Sequence, residues 1–464
     1  PDGWESDYAT LLVGVDTLLG GNIGSPSGVD HVLLDSWTSN YALPPIYHDP
    51  RSKALREHGG VSEKTSSELV SSYVRDYYLD TLADSISDKI ENLDTDDFGN
   101  IMNTARAADV MLQTMCAIAE KRPLPSYLIR RAAATNRNEF DLRGYHTDRE
   151  ELRERLARAG YEVTQSRPLR ETYLAWEKTQ PIVPTELVQA KAYELIGELL
   201  QLTREKIFSK LDFSATGYSH DLHDVAFDGI EFKTVKDVFF TMSMAYRGGE
   251  KDGRPALTAV YEYNTDIPLT PLFFRFLIGH EAVPGHYLNN AIIDLLSNHG
   301  TRPLGFEATI GTMCTPSTIF QEGWGNIGLE LLFGGREKAI DALGQDYGVY
   351  AANHDLQDIA KHYVSILFQV QGKSLDEIKR FVAEDCAQSD AIVDKMSRAW
   401  ATHPIIGPMY GPAYYMGTKV LRKAIKDKGA EAVARVGLHL EGLVDIVTFQ
   451  DKLYRNPTSC STCI

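Results

Sequence analysis

The feature that most constrains the fold is an apolar segment, residues 270–298, with three ionisable side chains in its middle. The segment reads TPLFFRFLIGHEAVPGHYLNNAIIDLLSN, and its opening Thr-Pro pair suits the N-cap and first turn of a helix. His280, Glu281 and His286 would be buried in such a helix, and a buried polar group without a partner costs about 1–3 kcal/mol. The fold must therefore bring partners to these groups, and a metal ion would be one.

The spacing of the two histidines requires this helix to be distorted. Zinc helices of the HExxH type place their histidines four apart on one face, whereas here the segment is His-Glu-Ala-Val-Pro-Gly-His. In a regular helix this spacing turns the second imidazole about 240° from the first. Pro284 cannot donate to the carbonyl group of His280, and Gly285 permits unusual backbone angles. We therefore predict a bulge that returns His286 to the face of His280.

A catalytic zinc site needs a third protein ligand and a base. Glu281 directly follows the first histidine, where zinc hydrolases carry the general base. The candidate third ligand is Glu322, in the apolar segment CTPSTIFQEGWGNIGLELLFGG, which is predicted to be a helix. A carboxylate that only stabilises a helix N-terminus is the alternative for Glu322. Zinc is the expected cofactor, although iron, cobalt and manganese also accept His and carboxylate ligands.

The rest of the chain predicts a mainly α fold with a small β-sheet. The first 60 residues are rich in Gly, Ser, Pro and Asp and are predicted to be loops over a core. Helical periodicity begins at Lys64 and is broken between about 212 and 268, where alternation over 257–263 predicts a half-buried strand. That strand is a candidate for pairing with a peptide substrate, although an ordinary core strand is favoured. We predict two lobes around a cleft: a helical lobe at 1–211 and a catalytic lobe at 212–464.

Composition excludes several classes of partner. The chain has 47 Lys and Arg against 64 Asp and Glu, a formal charge of −17, so nucleic acid is not expected as a partner. No apolar run approaches the roughly 18 residues of a membrane span. The five sparse cysteines, including a terminal Cys460-x-x-Cys463 interpreted as tail, favour a cytoplasmic location. A removed leader stays open because the sequence starts at Pro1, and no feature indicates an oligomeric state.

Three motifs together resemble a known family. HEAVPGH is followed by QEGWGNIGLE and then by PMYGPAYYMGTKVLR, with Tyr414 and Gly417 forming a Tyr-x-x-Gly. This order resembles an uncharacterised, mainly bacterial family, domain of unknown function 885, over at least residues 255–425. That family is similar to the helical gluzincin metallopeptidases, the class of angiotensin-converting enzyme and thimet oligopeptidase. The chain departs from the family pattern at Val283 and Tyr287, after EGW, and at Tyr410, where a Gln is common.

The resemblance implies a helical shell with a deep channel and a zinc-dependent cleavage of peptide or amide bonds. Zinc would acidify a water, Glu281 would take its proton, and a Tyr or His would stabilise the oxyanion. The candidate donors are His403, Tyr410, Tyr414 and Tyr415, with Tyr414 at the family's position. A zinc amide hydrolase of a non-peptide metabolite is the first alternative. The second is a non-catalytic binding protein with a vestigial site, in which the two histidines lie too far apart to share a metal.

Overall fold

Helices dominate the fold, and a small sheet accompanies them, which confirms the predicted fold class. The computed structural model describes residues 3–23, 33–91, 98–137, 145–217, 229–238, 240–251, 253–301 and 304–454. The α-helices in this part of the chain are α1 (Trp4–Leu18), α2 (Pro50–Glu57), α3 (Ser67–Asp76), α4 (Leu82–Ile90), α5 (Phe98–Ala119), α6 (Tyr127–Thr135), α7 (Tyr145–Arg158), α8 (Leu169–Glu177), α9 (Val188–Lys206), α10 (Pro271–Glu281), α11 (His286–Asp294), α12 (Pro316–Phe333), α13 (Arg336–Leu343), α14 (Gln345–Gln369), α15 (Leu375–Arg380), α16 (Asp390–Met396), α17 (Ala399–Thr402), α18 (Gly411–Lys428), α19 (Ala430–Gly437) and α20 (Ile446–Tyr454). In the described residues, no helix has both the length and the hydropathy to cross a bilayer. Cys460 and Cys463 lie outside the described residues.

The prediction of loops over the first 60 residues is wrong for α2 and, in particular, for α1. This helix buries most of its length, including Leu11, Leu12 and Val15, against α4 and α5. The Gly- and Ser-rich composition that suggested loops belongs to the residues that follow α1, and averaging over the whole region hid an apolar helix at its start. The N-terminal segment is therefore part of a core, not a cover over one.

The strands form two separate sheets. They are β1 (Leu34–Trp37), β2 (Ile230–Val235), β3 (Met242–Lys251), β4 (Arg254–Asn264) and β5 (Ile310–Thr312). β4 is the central strand of the larger sheet, parallel to β2 and antiparallel to β3, while β1 and β5 form an antiparallel pair.

The predicted strand at 257–263 lies within β4, but its environment differs from the prediction. Both faces are buried, since Tyr261 is inaccessible and Glu262 is only 3% exposed. Because β2 and β3 occupy both edges of β4, this strand has no free edge for a substrate, which confirms the favoured interpretation of an ordinary core strand over pairing with a peptide. The edge strand of this sheet that faces the cavity described below is β3.

Three apolar clusters make up the interior. The first contains β4, α9 to α12 and α18 to α20, the second contains α1 to α5, and the third contains α7, α8 and α14 to α17. Ile310 and Met409 pack into the second cluster, and Phe276 packs into the third, so each of these clusters joins distant parts of the chain. The lobe boundary at residue 211 stays a prediction.

Two glycines allow the helices that carry the candidate site to approach closely. A Cβ atom at Gly417 would lie 2.0 Å from the carbonyl oxygen of Ile319, and one at Gly323 would lie 2.4 Å from the carbonyl carbon of Gly417. These are the glycines of the Tyr-x-x-Gly and Glu-Gly-Trp motifs. Their role is to let α12 and α18 touch through their backbones, which places the Glu322 and Tyr414 side chains in one region.

Candidate metal centre

The Pro-Gly step breaks the predicted helix into two. Instead of one bulged helix, α10 ends at Glu281 and α11 begins at His286, with the connection at 282–285. A Cβ atom at Gly285 would lie 1.7 Å from the carbonyl oxygen of His280, so only glycine fits there. The indole Nε1 of Trp324 donates to the carbonyl oxygen of Pro284 at 2.8 Å and holds the connection against α12.

The break brings together the three side chains predicted to bind metal. His280 Nε2 and His286 Nε2 are 3.1 Å apart, and Oε2 of Glu322 lies 3.3 Å from the first and 3.8 Å from the second. A triangle with these sides has a point about 2.0 Å from all three atoms, which is the bond length of zinc to imidazole and carboxylate ligands. The separations of the three atoms therefore fit coordination of one shared ion.

The carboxylate of Glu322 is arranged to meet a cation. Its Oε1 accepts a hydrogen bond from the Tyr410 hydroxyl at 2.6 Å, whereas Oε2, which faces the imidazoles, has no hydrogen-bond partner among the described atoms. Burial by itself would raise the pKa of Glu322, but the imidazoles hold it below its usual range. Although burial opposes it, the carboxylate raises the pKa of His286 to about 9. A buried anion beside two imidazoles fits a metal ion of the zinc type.

Hydrogen bonds behind His280 fix its ring for coordination. Its Nδ1 lies 3.0 Å from Oδ1 of Asn326, whose Nδ2 donates to Oδ2 of Asp358 at 2.7 Å and to Oγ1 of Thr418 at 2.9 Å. Because the amide nitrogen of Asn326 is used by these acceptors, its oxygen receives the proton from Nδ1, and the lone pair of Nε2 points to the other ligands. A Cβ atom at Gly325 would lie 2.7 Å from Nδ1, so this glycine makes room for the ring.

Glu281 lies beside the ligand atoms and is almost buried. One of its carboxylate oxygens and one ring nitrogen each of His280 and His286 all lie within 4.8 Å of one another, and the residue is 9% exposed. Burial raises the pKa of Glu281, while the two imidazoles lower it to a smaller extent. A carboxylate with a raised pKa is suited to accept a proton and later to return it.

The four candidate oxyanion donors have different positions. Tyr410 and Tyr414 line the cavity that contains the histidines, and their hydroxyls are 2.9 Å apart. The structure does not place His403 among the described residues lining this cavity. Instead, its Nδ1 accepts from the backbone N–H groups of Ile405 and Ile406, 3.1 Å from each.

Tyr415 likewise points elsewhere. Its ring lies 4.9 Å from that of His362, and Lys419 Nζ lies 4.5 Å from its centre. Of the four predicted oxyanion donors, all of which lie in the described part of the chain, Tyr410 and Tyr414 line the cavity, and His403 and Tyr415 do not. Tyr410 ends the helical turn before α18, and Tyr414 lies four residues later in the first turn of α18, so one face of this segment presents both hydroxyls.

The cavity has a volume of about 290 Å³ and contains polar residues that the sequence did not single out. They include Asn326 behind the first histidine, the carboxylates of Asp35, Glu307 and Asp445, and a group formed by Gln357, Lys361 and Lys395. Asn326 follows Glu322 by four positions and so shares its helix face, which is a signal that periodicity could have used. The two lysines lie on different helices, α14 and α16, and no spacing connects them.

Comparison with known proteins gives the fold and nothing about activity. The sequence matches no protein-family model and no curated protein. The structure is similar to a crystal structure described as "the putative lipoprotein from Colwellia psychrerythraea", with a TM-score of 0.51 and 14% identity over 87% of this chain and 72% of that one. A second similar structure, "a putative lipoprotein of unknown function from Shewanella oneidensis", has a TM-score of 0.47 and 14% identity, over 88% of this chain and 80% of that one.

Proposed function

We propose that the protein is a zinc-dependent hydrolase that cleaves peptide or other amide bonds. The observation that carries the proposal is the convergence of the three ligand atoms at 3.1, 3.3 and 3.8 Å beside Glu281. A vestigial site would not keep the two imidazoles at this separation. A purely structural zinc site would not need the adjacent carboxylate, and protein groups would fill all of its positions.

When bound by His280, His286 and Glu322, zinc would act as a Lewis acid that makes water nucleophilic near neutral pH. Glu281 accepts the proton of the attacking water on its carboxylate and passes it to the leaving nitrogen. Tyr414 donates its hydroxyl proton to the oxyanion that develops on the carbonyl oxygen.

The two tyrosines have separate tasks in this mechanism. The hydroxyl of Tyr410 donates to Glu322 Oε1 at 2.6 Å, so its proton is engaged and it acts as a positioning residue for the carboxylate. Tyr414 lies 2.9 Å from Tyr410 and can turn its proton to a substrate. Burial, followed by the charge of Glu322, raises the pKa values of both hydroxyls, which keeps them protonated as donors.

A hydrolase of a non-peptide amide is the second candidate. The cavity of about 290 Å³ is at the small end of the range for ligand pockets, which favours a short peptide or a small amide over a long chain. We also infer membership of the domain of unknown function 885 family from the three motifs, and a cytoplasmic location from the sparse cysteines. Cys116 and Cys386 are free thiols.

Metal analysis of protein purified without chelator or added metal tests the proposal, together with cleavage of a peptide library with and without chelator. We expect about one zinc ion per chain and chelator-sensitive cleavage. Glu281→Gln should keep the zinc and lower kcat about 10²- to 10⁴-fold, since it removes the base only. Glu231→Gln, at a side chain that is 63% exposed on β2, is the control and should change neither quantity.

His286→Ala should lose the metal, because two protein ligands do not hold zinc tightly. Full zinc occupancy in His286→Ala would remove this residue from the site. Undiminished turnover in Glu281→Gln would refute the assignment of the base.

A further inference from the structure

One part of the cavity wall is basic, although Asp35, Glu307 and Asp445 line the same cavity and the protein as a whole is acidic. Lys361 on α14 and Lys395 on α16 both line it, together with the amide side chain of Gln357. Gln357 and Lys361 are four positions apart on α14 and so share a face. We call these three residues the basic end. The mechanism proposed above assigns no role to them.

The charge of Lys361 is already balanced within the protein. Its Nζ lies 3.0 Å from Oδ1 of Asp358, the same carboxylate that fixes Asn326. The ammonium also lies over the ring of Tyr414, 3.4 Å from its centre, and 5.8 Å from the ring of Trp400. These contacts hold Lys361 in place in the cavity wall, next to the proposed oxyanion donor Tyr414.

The charge of Lys395 is not balanced in this way. Among the described residues it has no hydrogen-bond or ion-pair partner, and the neighbouring Asp394 pairs with Lys379 at 3.2 Å. Burial, and after it the charge of Lys361, lower the pKa of Lys395 to about 7, and no carboxylate opposes this effect. A lysine that is partly buried in a cavity wall without a counter-charge is stabilised when an anion binds there.

Lys361, one of the three residues of the basic end, lies close to the candidate metal centre. The ring of Tyr414, above which Lys361 Nζ lies at 3.4 Å, is stacked on the ring of His280 with centres 6.5 Å apart. The ammonium is therefore within about 10 Å of that imidazole, a distance that no more than about three residues of extended peptide span. An anion held there would be part of the same substrate whose amide bond lies at the metal.

We propose that the basic end binds a free carboxylate of the substrate, with Lys395 as the main anchor and Lys361 and Gln357 as additional donors. The substrates are then short peptides or amides that end in a carboxylate within about three residues of the cleaved bond. The choice of substrate rests on the proposed hydrolase function. The binding of the carboxylate does not, because it needs no turnover.

Two measurements on the full chain separate these claims. The first is the affinity for N-acetylphenylalanine and for N-acetylphenylalaninamide, measured by calorimetry. The second is kcat/KM for the best-cleaved library peptide, made as the free acid and as the C-terminal amide. We expect the acid to be preferred about 10- to 100-fold in both measurements, as for a hydrogen bond between charged groups.

Variants at Lys395 test whether this residue causes the preference for the acid over the amide. Lys395→Gln and Lys395→Met should both reduce it to less than about threefold, and values for the amides should not change. Lys395→Arg keeps the charge and should retain part of the preference. Lys379→Gln, on the surface nearby, should retain all of it. Unchanged thermal unfolding of the Met variant, which keeps the apolar stem, shows that the fold is intact.

Each outcome decides one of the two proposals. Equal affinity for acid and amide, or a preference that survives Lys395→Gln, overturns the carboxylate site. Cleavage of the acid and the amide at equal rates also overturns the carboxylate site, but it leaves the hydrolase proposal intact. A Lys395-dependent preference in binding, without cleavage of any peptide, supports the carboxylate site and contradicts the hydrolase.

Discussion

Substitution of Gly325 by alanine should displace one ligand of the metal while leaving its helix intact. The new Cβ atom would lie 2.7 Å from Nδ1 and 2.8 Å from Cε1 of His280, whereas ordinary contact begins at 3.4 Å. The imidazole must therefore retreat by about 0.7 Å, which exceeds the roughly 0.2 Å tolerance of a metal–ligand bond. The same movement strains the 3.0 Å hydrogen bond between Nδ1 and Asn326.

The magnitudes separate an effect on metal binding from an effect on folding. Loss of a hydrogen bond that orients a metal ligand costs about 10- to 100-fold in metal affinity. The steric overlap costs about 1–3 kcal/mol, but alanine is favoured over glycine inside a helix by about 1 kcal/mol. Gly325→Ala should therefore lower zinc affinity at least about tenfold and lower the free energy of unfolding of the metal-free protein by no more than about 2 kcal/mol.

The assay is competition for zinc with a chromophoric chelator, combined with denaturant unfolding in the presence of EDTA. Gly197→Ala is the matched control, because this glycine lies inside α9 and its Cβ atom would meet nothing within 4 Å. That variant should keep wild-type zinc affinity and gain up to about 1 kcal/mol of stability. Wild-type zinc affinity in Gly325→Ala would refute the assignment of His280 as a ligand in this geometry.

Four further predictions follow from the site and its supports. Tyr414→Phe should lower kcat about 10²- to 10³-fold at unchanged zinc content, whereas Tyr410→Phe should weaken zinc binding first; the reverse pattern would exchange their roles. Trp324→Phe removes the hydrogen bond to Pro284 and should cost about 1–3 kcal/mol in denaturant unfolding; no loss would show that this bond does not hold the helix break. Chelation should lower the thermal midpoint, and zinc at about 100 times its Kd should restore about 2.7 kcal/mol; a midpoint insensitive to metal would contradict a metal site in the native state. Burial would raise the pKa of Asp355 on α14, but Arg336 and Arg422, each 3.1 Å from its Oδ2, lower it to about 2. Its contribution to stability is therefore present above about pH 4 and is lost as the pH falls through 2. The deficit of Asp355→Asn in urea unfolding, about 3 kcal/mol at pH 7, should narrow over this interval, and a pH-independent deficit would contradict these two ion pairs.

Local patterns explain what could be predicted of the fold. The helices between Lys64 and about residue 212 follow from helical periodicity, and the strand β4 follows from alternation, because these patterns report which side of a local element is buried. The prediction failed at α1 because it was made from composition and not from such a local pattern. A composition averaged over many residues does not report the face of one short helix.

The identity of the proposed metal ligands was also accessible from the sequence. His280, Glu281 and His286 are conspicuous because they interrupt an apolar helix, and Glu322 because it lies in another. The Pro-Gly step signalled a distortion, although the structure shows a complete break between α10 and α11 where a bulge was expected. How far a chain turns at such a step depends on what holds it, here the indole of Trp324.

By itself the sequence determined the helical class, the position of the sheet and the residue types available for chemistry. Tertiary structure alone decided which of them meet: it left His403 on a backbone turn, enclosed β4 between two strands, and brought Lys361 and Lys395 into one cavity. The physical reason is range. Periodicity and capping act over one or two turns of chain, whereas a contact between helices distant in sequence depends on how every intervening element packs.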